Sequence, residues 1–161
     1  MNVNRAVLYL GCFSIGVIAG LRSLTAPALV SWAARLGWLD LSGSWLSFLG
    51  SRAAAIFLSL LAIAELVADK MPKTPNRTDP GPLVFRAVSG GFCSMAICAS
   101  AHLSPAIGTM LGALGAIAGA FAGYEIRRRL VKKFGFPDFG VAAAEDLIAI
   151  GGGLLIVSHM F

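Results

Sequence analysis

Residues 105–126 read PAIGTMLGALGAIAGAFAGYEI, and no charged side chain interrupts this run before Glu125. About 20 mostly apolar residues are enough for an α-helix to cross the hydrocarbon core of a bilayer. The run continues into the basic stretch 127–133, which is typical of a helix that leaves the membrane on the cytoplasmic side. This segment therefore predicts a transmembrane helix and an integral membrane protein.

The remaining sequence has the same character. Of the 161 residues, 57% are hydrophobic and 13% are charged, whereas a soluble domain carries about 25% charged residues. Leu41–Leu49 is too short to span a bilayer and is expected to be interfacial or re-entrant. Four further segments are candidate spans: Arg5–Ala34, Arg52–Ala68, Leu83–Leu103 and Val141–Met160. We predict an all-α integral membrane protein, a single transmembrane domain over residues 1–161 with about five transmembrane helices.

Basic residues concentrate in two loops, one after the second helix and one after the fourth. With five helices these loops lie on the same side, and the positive-inside rule places them in the cytoplasm. We expect a bacterial-type inner membrane, with the N-terminus cytoplasmic and the C-terminus outside. The net charge of +5 follows from this clustering, so no nucleic-acid partner is predicted. The basic residues are Lys70, Lys73, Arg77 and Arg86, and Arg127, Arg128, Arg129, Lys132 and Lys133.

The first apolar segment contains the sequence GLRSLTAP at residues 20–27. Pro27 has no N–H to donate, and its ring disfavours a straight helix. A charge such as Arg22 inside the membrane is costly unless it faces a partner or a cavity. These features predict a broken first helix, with a substrate-binding site formed by Arg22, Ser23 and Thr25. The alternative is that Arg22 lies nearer to the interface and snorkels to water.

A second candidate segment, residues 65–80, leaves the second helix on the predicted cytoplasmic side. Glu65 and Asp69 are four residues apart and share one helix face. Prolines stiffen the following loop, whose polar residues suit anion binding or helix capping. Alternatively, the acidic residues only balance Lys70 and Lys73. The substrate-binding candidates are Asn76, Arg77 and Thr78, and the ion or proton candidates are Glu65 and Asp69.

Three further carboxylates belong to the same predicted side. Glu125 ends the fourth helix, and Glu145 and Asp146 lie inside the apolar run of the fifth. Acidic groups at such depth need a partner, water or a proton, so we predict that they contribute to the ion or proton site. The alternative is that they form salt bridges that fix helix packing, with these arginines as partners: Arg22, Arg77 and Arg127.

Glycines of the fourth helix recur on nearly one face, from Gly108 to Gly123. Small residues at this spacing allow close helix contacts in membranes, and we expect them to mediate a homo-oligomer. No nucleotide loop, metal-ligand spacing or nucleophile–His–acid set is recognisable, so no cofactor, metal or catalytic residue is predicted. The cysteines are expected to be buried free thiols: Cys12, Cys93 and Cys98.

Two parts of the chain resemble each other and predict internal repeats over residues 11–70 and 110–160. One helix lies between the copies, so the second copy would enter the membrane inverted, an arrangement that recurs in transporters. Chance similarity between helices rich in Gly and Ala is the alternative. The matching pairs are 15–20 with 114–119, 36–40 with 134–138, and 53–55 with 142–144.

The chain resembles the bacterial membrane proteins grouped as the domain of unknown function 4126. The similarity rests on residues 20–27, on the loop 65–77 and on the pair Glu145–Asp146, and it extends over about Gly11–Ser158. It implies a small bacterial inner-membrane protein. It implies no established activity and assigns no catalytic residue.

Together these features favour a small transporter or channel-like protein for an anionic solute or a lipid headgroup, with the carboxylates as the coupling-ion or proton site. One alternative is an enzyme that acts on a lipid headgroup or a lipid-linked phosphate, in which the carboxylates bind a metal and Arg77 binds a phosphate. The other is a structural or accessory subunit without a substrate. The expected partners are membrane lipids and a second copy of the chain.

Overall fold

The computed structural model describes residues 4–69 and 76–160. Within these ranges the chain forms seven helices and no strand. The Asn4 side chain caps the first helix by accepting from the N–H of Ala6 at 3.0 Å. The helices are α1 (Arg5–Leu21), α2 (Thr25–Arg35), a 3₁₀ helix (Trp45–Gly50), α3 (Arg52–Ala68), α4 (Pro80–Ser100), α5 (Pro105–Lys132) and α6 (Asp138–His159).

Three of these helices, α4, α5 and α6, are long and apolar enough to cross a membrane. Prolines begin α4 and α5, at a position where a missing N–H breaks no helical hydrogen bond. α1 is apolar but, with 17 residues, shorter. The predicted all-α fold is confirmed, and the three candidate spans found among the described residues, against about five predicted, indicate a multi-pass membrane protein. The segment Leu41–Leu49, predicted not to span, contains most of the 3₁₀ helix.

The core lies where α1, α4 and α5 meet, and glycines let these helices approach closely. A Cβ added to Gly90 of α4 would lie 2.6 Å from the carbonyl oxygen of Gly112 in α5, which Gly16 of α1 also faces. A Cβ added to Gly108 would lie 2.6 Å from Cys98 Sγ. The glycine face of α5 is therefore used inside the chain. A homo-oligomer stays a prediction, and it would need a surface other than this internally packed face.

α1 and α2 form a hairpin rather than one interrupted crossing. Ile18 of α1 and Leu29 of α2 both reach Gly153 of α6. In a straight helix these two residues would be separated by roughly 16 Å along the axis, so the chain reverses direction between them. Trp32 Nε1 of α2 donates to Ser59 Oγ of α3 at 2.9 Å, which places α3 against the hairpin. The predicted break in the first apolar segment is present, but it is a complete turn.

The helices alternate in direction because of this turn. α1, α3 and α5 run towards the end of the bundle that carries the α1–α2 turn, and α2, α4 and α6 run away from it. Met160, at the end of α6, packs on Gly11 near the start of α1. The described chain therefore begins and ends at the same end of the bundle. The predicted topology, with the two ends on opposite sides, does not agree with this arrangement.

The predicted inverted repeat does not agree with the helix directions either. α1 and α5 lie parallel, because Gly16 faces Gly112 and Gly20 faces Ala116, whereas an inverted copy would be antiparallel. α3 and α6, the other pair that the repeat would relate, run in opposite directions. One symmetry operation cannot relate both pairs of helices.

Candidate functional site

The site is built on the turn between α1 and α2, where residues 22–24 leave the helical conformation. Pro27 is the third residue of α2, and the first residues of a helix have N–H groups without an intrahelical acceptor. Pro27 therefore interrupts no hydrogen bond of α2. At the turn, the N–H groups of Ser23 and Leu24 and the last carbonyl groups of α1 have no hydrogen-bond partner within their own helices. Side chains of other helices supply these partners.

Arg22 is completely buried, with 0% of its surface exposed. Its Nη1 atom pairs with Asp69 at the end of α3, and its Nη2 atom lies 2.5 Å from Asp146 Oδ1 of α6. A buried guanidinium is costly unless carboxylates neutralise it. The two aspartates do so here, and they tie the hairpin to α3 and α6. The alternative that Arg22 snorkels to water is wrong, because none of its surface is accessible.

Glu65 of α3 occupies the open N-terminus of α2. Its carboxylate accepts from the N–H of Ser23 and from the N–H of Leu24, both at 2.8 Å, and from the Ser23 hydroxyl. The helix dipole and the free N–H groups at a helix N-terminus favour an anion. The turn is thus an anion-binding site, and a side chain of the protein itself fills it.

Arg86 of α4 holds the other side of the turn. Its Nη1 atom donates to the carbonyl oxygens of Gly20 at 2.9 Å and Leu21 at 2.8 Å, while Nη2 lies 3.9 Å from both Glu65 Oε1 and Asp69 Oδ2. Its Nε atom is buried and has no hydrogen-bond partner in the described chain. Sequence reasoning counted Arg86 only as a loop charge. Its place three residues inside the apolar segment Leu83–Leu103 was the signal that could have identified it.

A second buried pair completes the cluster. Arg77, just before α4, pairs in a bidentate manner with Glu145 of α6, with 3.0 Å between Nη2 and Oε2. Three arginines and four carboxylates meet at this end of the bundle, and we call this set the ion-pair cluster. It carries one excess negative charge when all seven groups are ionised. Its members are Arg22, Arg77, Arg86, Glu65, Asp69, Glu145 and Asp146.

The other candidates lie outside the ion-pair cluster. Thr25 is buried, but its hydroxyl has no partner within the described residues. Asn76 donates its backbone N–H to Asp79 at 2.9 Å and caps a turn, and no described contact joins Thr78 to the cluster. Glu125 pairs with exposed arginines of its own helix, Arg128 and Arg129, and the structure does not bring it into the ion-pair cluster. The lysines Lys70 and Lys73 and the prolines Pro72 and Pro75 lie outside the described residues.

A cavity of about 310 Å³ opens beside the turn. Its polar wall comes from the ion-pair cluster and the turn, and its other wall comes from the start of α4. Arg22 does not line the cavity and is inaccessible to solvent, whereas its neighbours in the cluster that line the cavity are accessible. The lining residues are Ser23, Glu65, Asp69, Gly81, Pro82, Phe85 and Arg86.

The arrangement of carboxylates bears on metal chemistry. In residues 4–69 and 76–160 no group of three or more His, Cys, Asp or Glu side chains is placed to hold a metal ion. Each cluster carboxylate instead faces at least one arginine. A metal-dependent lipid enzyme would need converging acids, and this geometry gives that alternative no support.

The chain belongs to the family described as the domain of unknown function DUF4126, whose model matches residues 9–160. The match covers every member of the ion-pair cluster. No curated protein and no solved structure matches the chain. The family resemblance predicted from the sequence is therefore confirmed, and any activity has to be argued from the site itself.

Proposed function

We propose that this protein is a transporter of the bacterial inner membrane that carries a small anionic solute together with a proton. The observation that supports the proposal is the Glu65 carboxylate at the N-terminus of α2, next to an open cavity. A helix N-terminus inside the membrane that points at an anion is a recurring feature of transporter substrate sites. Here an internal carboxylate stands where the charged group of a solute would bind.

The exchange of Glu65 for a solute anion supplies the mechanism. Protonation of Glu65 removes its charge and weakens its hold on the N–H groups of Ser23 and Leu24. A carboxylate or phosphate that enters the 310 Å³ cavity then accepts from these groups and from the guanidinium of Arg86, which lines the cavity. Release of the proton restores the internal carboxylate and expels the solute. The ion-pair cluster described above is the solute-free state of this cycle, in which Glu65 occupies the anion position.

The orientation is part of the proposal. The end of the bundle that carries the ion-pair cluster also carries the basic end of α5, and the positive-inside rule assigns such an end to the cytoplasm. Both described ends of the chain then face the periplasm. The cavity opens towards the cytoplasm in this state, so a second state open to the other side is required.

Uptake into proteoliposomes tests the proposal. The purified protein is reconstituted, a pH gradient is imposed, and the uptake of labelled inorganic phosphate and of a panel of labelled small carboxylates is measured. We expect the wild type to accumulate at least one anion only when the gradient is present. Glu65→Gln mimics the protonated carboxyl, so uptake should persist but lose its dependence on the gradient.

Glu125→Gln is the matched control for this experiment. It removes a carboxylate at the same end of the bundle that, among the described residues, pairs with exposed arginines, and its uptake should equal that of the wild type. Uptake no greater than in protein-free vesicles for every anion would overturn the proposal. So would an equal effect of the two substitutions.

A second candidate function, a structural or accessory subunit without a substrate, is favoured by one observation. Arg22 is sealed and paired on both sides, as a residue that only fixes helix packing would be. This candidate predicts that no anion of the panel raises the melting temperature of the purified protein at any pH. The transporter predicts a rise, larger at low pH, because protonation of Glu65 opens the site.

A further inference from the structure

We propose that the groove between the last turns of α5 and the first turns of α6 binds an acyl chain of an anionic phospholipid, with the lipid headgroup at the basic end of α5. This α5–α6 groove has a volume of about 550 Å³, within the size range of ligand sites. The inference concerns a surface separate from the 310 Å³ cavity and does not depend on transport.

The walls of the α5–α6 groove are apolar, and no other part of the described chain covers them. Ile126 is 57% exposed and Ile148 is 62% exposed, although both line a concave surface. Gly140 leaves open space, because a Cβ there would meet only Pro137. The lining side chains include Ile126, Leu130, Phe136, Val141, Ala144 and Ile148. An apolar concavity on a membrane protein is suited to a hydrocarbon chain.

The length of α5 places its basic end at headgroup level. Its 28 residues span roughly 42 Å, which exceeds a hydrocarbon core of about 30 Å. Lys132 and Lys133, both exposed, therefore extend beyond the hydrocarbon and reach the level of lipid phosphates. Exposed Phe134 and Phe136 follow them, as is typical of a membrane interface.

The charge of this end selects an anionic lipid. Residues 125–138 contain five basic and two acidic side chains. Arg127 lines the groove and is bound by Asp138 at 2.8 and 2.9 Å, so the charge that remains for a phosphate comes mainly from the exposed lysines. Basic clusters at a membrane surface attract anionic headgroups. A zwitterionic lipid of the same chain length would fill the groove but lack this attraction.

Native mass spectrometry of the purified protein tests the proposal with dioleoyl phosphatidylglycerol and dioleoyl phosphatidylcholine as probes. We expect one retained phosphatidylglycerol per chain. Ala144→Trp should lower retention about tenfold, because the indole displaces several buried methylene groups. Ala118→Trp, at an exposed position of α5 outside the groove, is the matched control and should retain the lipid.

Two further measurements separate the parts of the proposal. Lys132→Gln with Lys133→Gln should abolish the preference for phosphatidylglycerol over phosphatidylcholine. Phosphatidylglycerol with a photoreactive acyl chain should label the peptide that contains Ala144 and Ile148 in the wild-type protein, which requires no variant to fold. Equal retention in the two tryptophan variants, or labelling spread evenly over the exposed helix faces, would overturn the site. An unchanged preference in the lysine variant would overturn the headgroup assignment.

Discussion

The ion-pair cluster and the pairs that Glu125 forms on the surface of α5 lie at the same end of the bundle. Both consist of arginines and carboxylates. Arg22 is 0% exposed between two carboxylates, whereas Glu125 and Arg129 form a pair with side chains that are 36% and 67% exposed. Water competes for the second pair and screens it, but it does not reach Arg22. The comparison teaches that the burial of a charged pair, rather than its residue types or the distance between its atoms, decides how much it stabilises the fold.

The largest expected effect is that of Arg22→Met. It leaves Asp69 and Asp146 without the arginine between them, and the loss of one partner of a buried ion pair costs about 3–5 kcal/mol. Unfolding by denaturant in detergent measures the change in the free energy of unfolding. Arg129→Met removes an exposed partner and should change it by about 1 kcal/mol or less. Similar losses in the two variants would break the comparison.

A smaller effect is expected for the carboxylate at the turn. Glu65→Gln keeps an oxygen that can accept from the N–H groups of Ser23 and Leu24 but loses the charge, so about 1–3 kcal/mol of stability should be lost. Glu125→Gln should lower the stability much less, since a helix-surface pair contributes little. Thermal unfolding of both variants at neutral pH gives the ranking. A larger loss in the Glu125 variant would contradict the account.

The smallest effect concerns an exposed carboxylate outside the spans. Hydrogen bonds from the hydroxyl and the N–H of Ser42 lower the pKa of Asp40 below its ordinary value. Its contribution to stability is therefore present above the unfolded-state pKa and is lost as the pH falls through the folded-state pKa. Ser42→Ala should raise the pKa of Asp40 in an NMR titration of the side-chain carboxyl, while Ser47→Ala, at another exposed serine, should not.

Much of the site could be predicted because charges inside apolar runs are costly and therefore stand out. Arg22, Glu145 and Asp146 were identified in this way, and the structure brings them together with Glu65, Asp69 and Arg77. Glu125 was misplaced because it lies at the end of an apolar run with arginines one turn further on. The sequence alone cannot tell whether such a carboxylate turns inward or pairs along its own helix.

The helix directions could not be predicted. The apolar segment Arg5–Ala34 has the same composition whether it forms one kinked crossing or two short helices in a hairpin, and Pro27 is compatible with both. Packing decides between them: Ile18 and Leu29 meet at Gly153 only in the hairpin. Residues 15–20 and 114–119, whose similarity predicted a repeat, belong to two helices that pack on each other through small residues.

Proton uptake on anion binding tests the central claim most directly. The purified protein is mixed with the anion that supports the highest uptake in vesicles, in weakly buffered solution with a pH indicator. The account predicts that binding takes up protons from solution in the wild type and in Glu125→Gln, and that Glu65→Gln binds the anion without taking them up. Anion binding with no proton uptake in the wild type, or with equal uptake in the Glu65 variant, would contradict the exchange of Glu65 for the solute.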